Sequence, residues 1–106
     1  MPKYLFQGSY TEQGLKGLLK EGGSKRRDAV EQLFKGMGGT LEIFYYAFGD
    51  DDFFIIGDAP DNVDVTAVSL MVNASGAVKA RVTVLITPEE IDQATEKTVN
   101  YRPPGQ

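Results

Sequence analysis

The chain has 106 residues, with 11 Lys and Arg against 15 Asp and Glu, a net charge of −4, and no His, Cys or Trp. Without His there is no imidazole base, no His-ligated zinc and no proximal haem ligand. Without Cys there is no disulfide, no thiolate nucleophile and no iron–sulfur cluster.

The length suits a single domain. The acidic balance lacks the basic face that phosphates require, so no nucleic-acid partner is expected. Every apolar run is too short to span a membrane, and the N-terminal residues lack the apolar stretch of a signal peptide. The expected location is therefore the cytoplasm. No cofactor and no metal are expected.

Residues 3–10 are rich in aromatic and aliphatic side chains and read as a first strand. Thr11 is a helix N-cap with Glu12 in the first turn, and Leu15, Leu18 and Leu19 share one helical face. Gly14 and Gly17 weaken that helix, each by about 1 kcal/mol relative to Ala. Gly22-Gly23 ends or bends it. Ser24 is a second N-cap candidate. Beyond it, Val30, Leu33, Phe34 and Met37 repeat at helical spacing, and Gly38-Gly39 form the stop. Residues 40–48 and 53–59 are the strongest strand signals, joined by Gly49-Asp50-Asp51-Asp52 as a hairpin. Asp61 or Asn62 caps a further helix that ends at Gly76. Residues 77–87 alternate as a fourth strand. Thr87-Pro88-Glu89-Glu90 opens a short last helix, with a cap, Pro at the first helical position and acids in the first turn. The order β-α-β-β-α-β predicts an α+β, ferredoxin-like fold. A four-stranded antiparallel sheet carries both long helices on one face, with a short C-terminal helix added. Residues 1–96 form the domain, and 97–106 a Pro-rich tail.

Strict alternation assigns the sheet faces. Val78, Ala80, Val82 and Val84 face the helices, leaving Lys79, Arg81, Thr83 and Leu85 on the open face. In the second strand Leu41, Ile43, Tyr45 and Ala47 go to the helices, and Glu42, Phe44, Tyr46 and Phe48 to the open face. The third strand adds Phe54, Ile56 and Asp58 to the open face, and the first adds Leu5, Gln7 and Ser9. The aromatics would form an apolar patch on the order of several hundred Å², too large for a monomer to leave bare. A second copy in a two-fold dimer is the expected cover, with the C-terminal helix as the alternative. The polar groups in that face, Gln7, Ser9, Glu42, Tyr46, Asp58 and Arg81, would line a pocket for a small ligand between the sheets, or would form structural ion pairs.

Two other clusters stand out. Ser24, Lys25, Arg26 and Arg27 put three cations where the helix dipole disfavours them, which makes an anion site or a solvated face. Asp50-Asp51-Asp52 offers oxygens to a hard cation, but the loop does not match an EF-hand, and solvation is the plainer use. With His and Cys missing, acid–base chemistry falls to Tyr, Lys and carboxylates. Tyr10, Tyr46, Glu12, Asp58 and Arg81 are expected near the mouth or floor of the dimer cavity.

The opening Lys3-Tyr4-Leu5-Phe6-Gln7-Gly8-Ser9-Tyr10-Thr11 resembles the GYD-domain family. So do Glu21-Gly22-Gly23-Ser24-Lys25-Arg26-Arg27, the Phe48-Gly49 to Asp52 stretch, and Ala67-Val68-Ser69. The likeness runs to about Asp92. It implies a dimeric α/β barrel in which two ferredoxin-like sheets face each other, a mainly bacterial and archaeal distribution, and no particular reaction. Small monooxygenases, isomerases, haem enzymes and ligand-sensing modules share that barrel, an analogy of fold alone. Asp51 stands where the family signature has tyrosine. Three readings follow: a homodimeric binder of a small organic or anionic molecule, a cofactor-independent small-molecule enzyme, and a dimerisation module without ligand.

Overall fold

The computed structural model describes residues Met1–Gln106. Its sheet is built from β1 (Lys3–Tyr10), β2 (Thr40–Tyr46), β3 (Phe53–Asp58) and β4 (Val78–Leu85). The order across it is β2-β3-β1-β4, and every pairing is antiparallel. The helices are α1 (Glu12–Glu21), α2 (Gly23–Gly36), α3 (Asn62–Ala74) and α4 (Pro88–Thr95). This is the expected α+β ferredoxin-like arrangement with a C-terminal helix.

Local signals explain most of the boundaries. The Thr11 hydroxyl accepts from the Gly14 amide at 3.2 Å, and Asp61 accepts from the Asp64 amide at 2.9 Å. Each satisfies a donor that the first helical turn leaves without a partner. Thr87 and Glu90 form a reciprocal capping box at α4. The hydrogen bonds from Thr87 hold the Glu90 carboxyl below its ordinary value. One cap differs from expectation. Gly22, not Ser24, occupies the N-cap of α2, with no side-chain bond to the first turn, and Ser24 lies exposed inside the helix.

The core lies between the sheet and α2 and α3. Tyr4, Phe6, Val30, Phe34, Phe53, Ile55, Ala59 and Val65 are its buried residues. The buried Tyr4 hydroxyl donates to Asn62 Oδ1 at 2.7 Å, so its polar atom keeps a partner. Phe6 and Phe34 meet edge to face, with centroids 5.7 Å apart. Two glycines allow close approach. A Cβ on Gly57 would lie 2.5 Å from the Phe34 ring, and one on Gly14 only 1.9 Å from the Ala77 carbonyl oxygen. The propensity cost of Gly14 is therefore offset by a contact that any side chain would block.

The alternation in β2 fails at one point. Leu41 pairs with Gly57, yet Ile43 pairs with Ile56, so two residues of β2 advance against one of β3. Such a β-bulge exchanges the faces of everything beyond it. Phe44 and Tyr46 therefore turn toward the helices, and Ile43 and Tyr45 toward the open face, the reverse of the expected assignment. Phe48 lies past the strand end, fully exposed. The C-terminal helix does not cover the open face. No residue of α4 is buried, Ile91 is half exposed, and the molecule reaches 57 Å in its longest direction.

Candidate functional site

The open sheet face carries most of the residues expected to bind a ligand, and each of them there already has a partner. Lys3 pairs with Glu42. Asp58 accepts from the Thr40 amide at 2.7 Å. Arg81 grips Asp51 with two hydrogen bonds, 2.8 and 3.2 Å, and Gln7 donates to the same carboxylate at 3.3 Å. Ser9 donates to the Asp50 carbonyl at 3.3 Å. Asp51 thus reaches across β1 to β4 and ties the hairpin loop to the sheet. Asp52 instead accepts from the Tyr10 amide, so the three loop acids diverge. No group of three acidic side chains converges as metal ligands. Between these pairs runs an apolar band of Ile43, Tyr45 and Phe54, flanked by half-buried Leu5 and Ile56.

The other face holds a chamber. α2 packs over β2 and α3 over β4, so the two central strands lie under the gap between the helices. That gap leaves about 60 Å³ of space, partly open to solvent. One water needs roughly 10–15 Å³ and a cavity that holds benzene measures about 150 Å³, so a small ring enters only as the walls part. Thirteen of its fourteen lining residues are hydrophobic, and the fourteenth is Arg26. Past Tyr10, Arg26, Val72 and Val78 it adjoins an outer cleft of about 460 Å³ between α1 and the end of α3, with Gln13 and Glu21 on its rim.

Tyr46, displaced here by the bulge, meets Tyr10 and Arg26 at this junction. Its hydroxyl donates to the Gly23 carbonyl at 3.1 Å, and the Tyr10 phenol is its neighbour. Burial, then the neighbouring phenol, pushes Tyr10 well above the ordinary phenol value, and burial raises Tyr46 as well. Nearby Arg26 opposes both shifts without cancelling them. Both phenols are therefore neutral donors at physiological pH. Neither Tyr10 nor Tyr46 lies on the open sheet face, where the dimer cavity was expected to bring them. Glu12 lies apart, exposed and paired with Lys16. Of the basic run, Lys25 is exposed without an acid partner, Arg27 pairs with Asp28 at 3.5 Å, and Arg26 alone turns inward.

A group whose folded pKa is raised contributes stability below its unfolded value, and loses that contribution as pH rises through the folded value. An alkaline titration followed by phenolate absorbance should therefore show two of the five tyrosines ionising later than free tyrosine. The stability linked to them should decline only above about pH 10. Tyr46→Phe should bring Tyr10 part of the way back, by removing the neighbouring phenol that raises it. Five tyrosines titrating together at the ordinary value would contradict this geometry.

The model of the GYD domain matches residues 4–95. The chain belongs to the GYD-domain family. The match takes in all four helices and the sheet except its first residue, Lys3, and stops at the end of α4. No curated protein matches this GYD-domain chain. No solved structure matches it either. Sequence reasoning missed the helix-side chamber because its walls read as ordinary core. The one available signal was Arg26, a charge that falls on the helical face of Val30, Phe34 and Met37.

Proposed function

We propose that this GYD-domain protein is a homodimer, joined through the open sheet faces, that binds a small organic molecule in the helix–sheet chamber of each protomer. The chamber is the observation that carries the binding reading. Protein interiors are close-packed, so an apolar gap with a charged group at its mouth favours a guest that its walls part to admit. The apolar band of Ile43, Tyr45 and Phe54 supports the dimer, because two-fold pairing would remove it from water. Gln7, Ser9, Glu42, Asp58 and Arg81 on the open face already have partners, which favours a structural role for them over a ligand site between the sheets. No carboxylate lines the chamber, and its phenols stay protonated, so binding is favoured over proton abstraction. No helix is long and apolar enough to cross a membrane. As proposed, the protein works in the cytoplasm without nucleic acid, consistent with a net charge of −4 and the lack of cysteine.

Toluene is a suitable first probe. Titrated against methyl-labelled protein, it should give saturable NMR shifts centred on Val30, Ile55, Val68 and Val72. Val68→Phe, which fills the space, should abolish them. Shifts absent from these methyls, or undiminished in the filled variant, would overturn the reading.

A further inference from the structure

Eleven basic side chains are present, and five of them, Lys3, Lys16, Arg27, Lys35 and Arg81, form ion pairs. Of the other six, Lys20, Lys25, Lys79, Lys97 and Arg102 are exposed and solvated. Arg26 alone is withdrawn from solvent without an acid to meet it. It sits where the apolar chamber opens into the outer cleft, and borders both.

The hydrogen-bond directions narrow what it can do there. Tyr46 spends its proton on the Gly23 carbonyl, so it presents an oxygen to the junction. The Arg26 guanidinium has no hydrogen-bonded partner. A half-buried guanidinium without an anion leaves its donors unmet, and its planar fork matches a carboxylate in two parallel bonds.

We propose, building on the chamber reading above, that the ligand is a small cyclic or aromatic monocarboxylate. Its ring occupies the chamber, and its carboxylate is clamped by Arg26 at the mouth. The chamber offers the ring only apolar contacts. Glu21, on the rim of the outer cleft, repels a second negative charge, so a monoanion is preferred to a dianion. Of the basic run singled out in the sequence, one member thus serves the site and the others face water or Asp28.

The test compares benzoate with neutral benzamide and toluene at neutral pH, by calorimetry and methyl NMR. Benzoate should bind at least tenfold more tightly than benzamide. Arg26→Gln should erase that preference and leave toluene binding intact, and Arg26→Lys should restore only part of it. Lys25→Gln, one residue away and exposed, should change nothing. If toluene enters the chamber and benzoate gains nothing over benzamide, or keeps its advantage in Arg26→Gln, the carboxylate proposal is wrong and the chamber reading stands. If neither toluene nor benzoate shifts the chamber methyls, both are wrong.

Discussion

Replacing Phe34 by Ala is expected to lower the unfolding free energy by about 3–5 kcal/mol. Phe34 is only 2% exposed, its ring meets Phe6 edge to face, and it stands against Gly57 where the sheet offers no side chain. Truncation removes both contacts and enlarges a space that is already incompletely filled. A domain of this size has a total stability of roughly 5–15 kcal/mol, so the variant should be close to unfolding at ambient temperature. Urea denaturation at a fixed protein concentration measures this, with Leu19→Ala as control. Leu19 is 87% exposed, and its loss should change stability by less than about 0.5 kcal/mol. A Phe34→Ala loss below about 1 kcal/mol would mean that the ring is not the centre of the core. Gly57→Ala should act on the same contact from the other side. Its methyl would meet both the Phe34 ring and the Thr40 carbonyl oxygen, the latter at 2.7 Å.

The second large effect concerns association. Phe54→Asp should convert the proposed dimer to a monomer without unfolding it. Phe54 projects from the open face at 38% exposure, beside Tyr45 on β2 and Gln7 on β1. In a monomer an aspartate there remains hydrated. In a two-fold interface it places an unpaired charge at two related positions, each costing a few kcal/mol. Association should weaken by roughly three to four orders of magnitude. Sedimentation velocity should show the change, and far-UV circular dichroism should not. Wild-type protein sedimenting as a monomer at every concentration would refute the dimer. A Phe54→Asp variant that stays dimeric would show that copies meet elsewhere. Toluene binding should persist in the monomeric variant, because the chamber belongs to one protomer.

The two faces of the sheet differed greatly in how much could be read in advance. For β1, β3 and β4 alternation placed the side chains correctly, since β1 keeps an unbroken register with both β3 and β4. For β2 it inverted Phe44 and Tyr46. An edge strand tolerates an extra residue, and only its pairing with β3 reveals where Glu42 has been inserted. That single step moved Tyr46 from the open face to the chamber mouth beside Tyr10, and with it the centre of the candidate site.

Asp51 and Arg26 show the same limit at the level of single charges. Three neighbouring acids in a loop look alike in sequence, as do three neighbouring cations at a helix start. Asp51 finds Arg81 thirty residues away, and Arg26 finds two phenols on different strands. Distances of that kind are set by the packing of whole elements.

The sequence by itself determined the order of strands and helices, most of their caps, the ferredoxin-like topology and the chemistry missing without His and Cys. These depend on periodicity and on contacts within a few residues. Only the tertiary structure decided which face each residue of β2 takes, which charges are paired, and where space remains inside. Those outcomes depend on strand register and on how far α2 and α3 stand apart over the sheet. The 106 residues excluded imidazole and thiolate chemistry, and their packing turned attention to one unpaired guanidinium at the mouth of an apolar chamber.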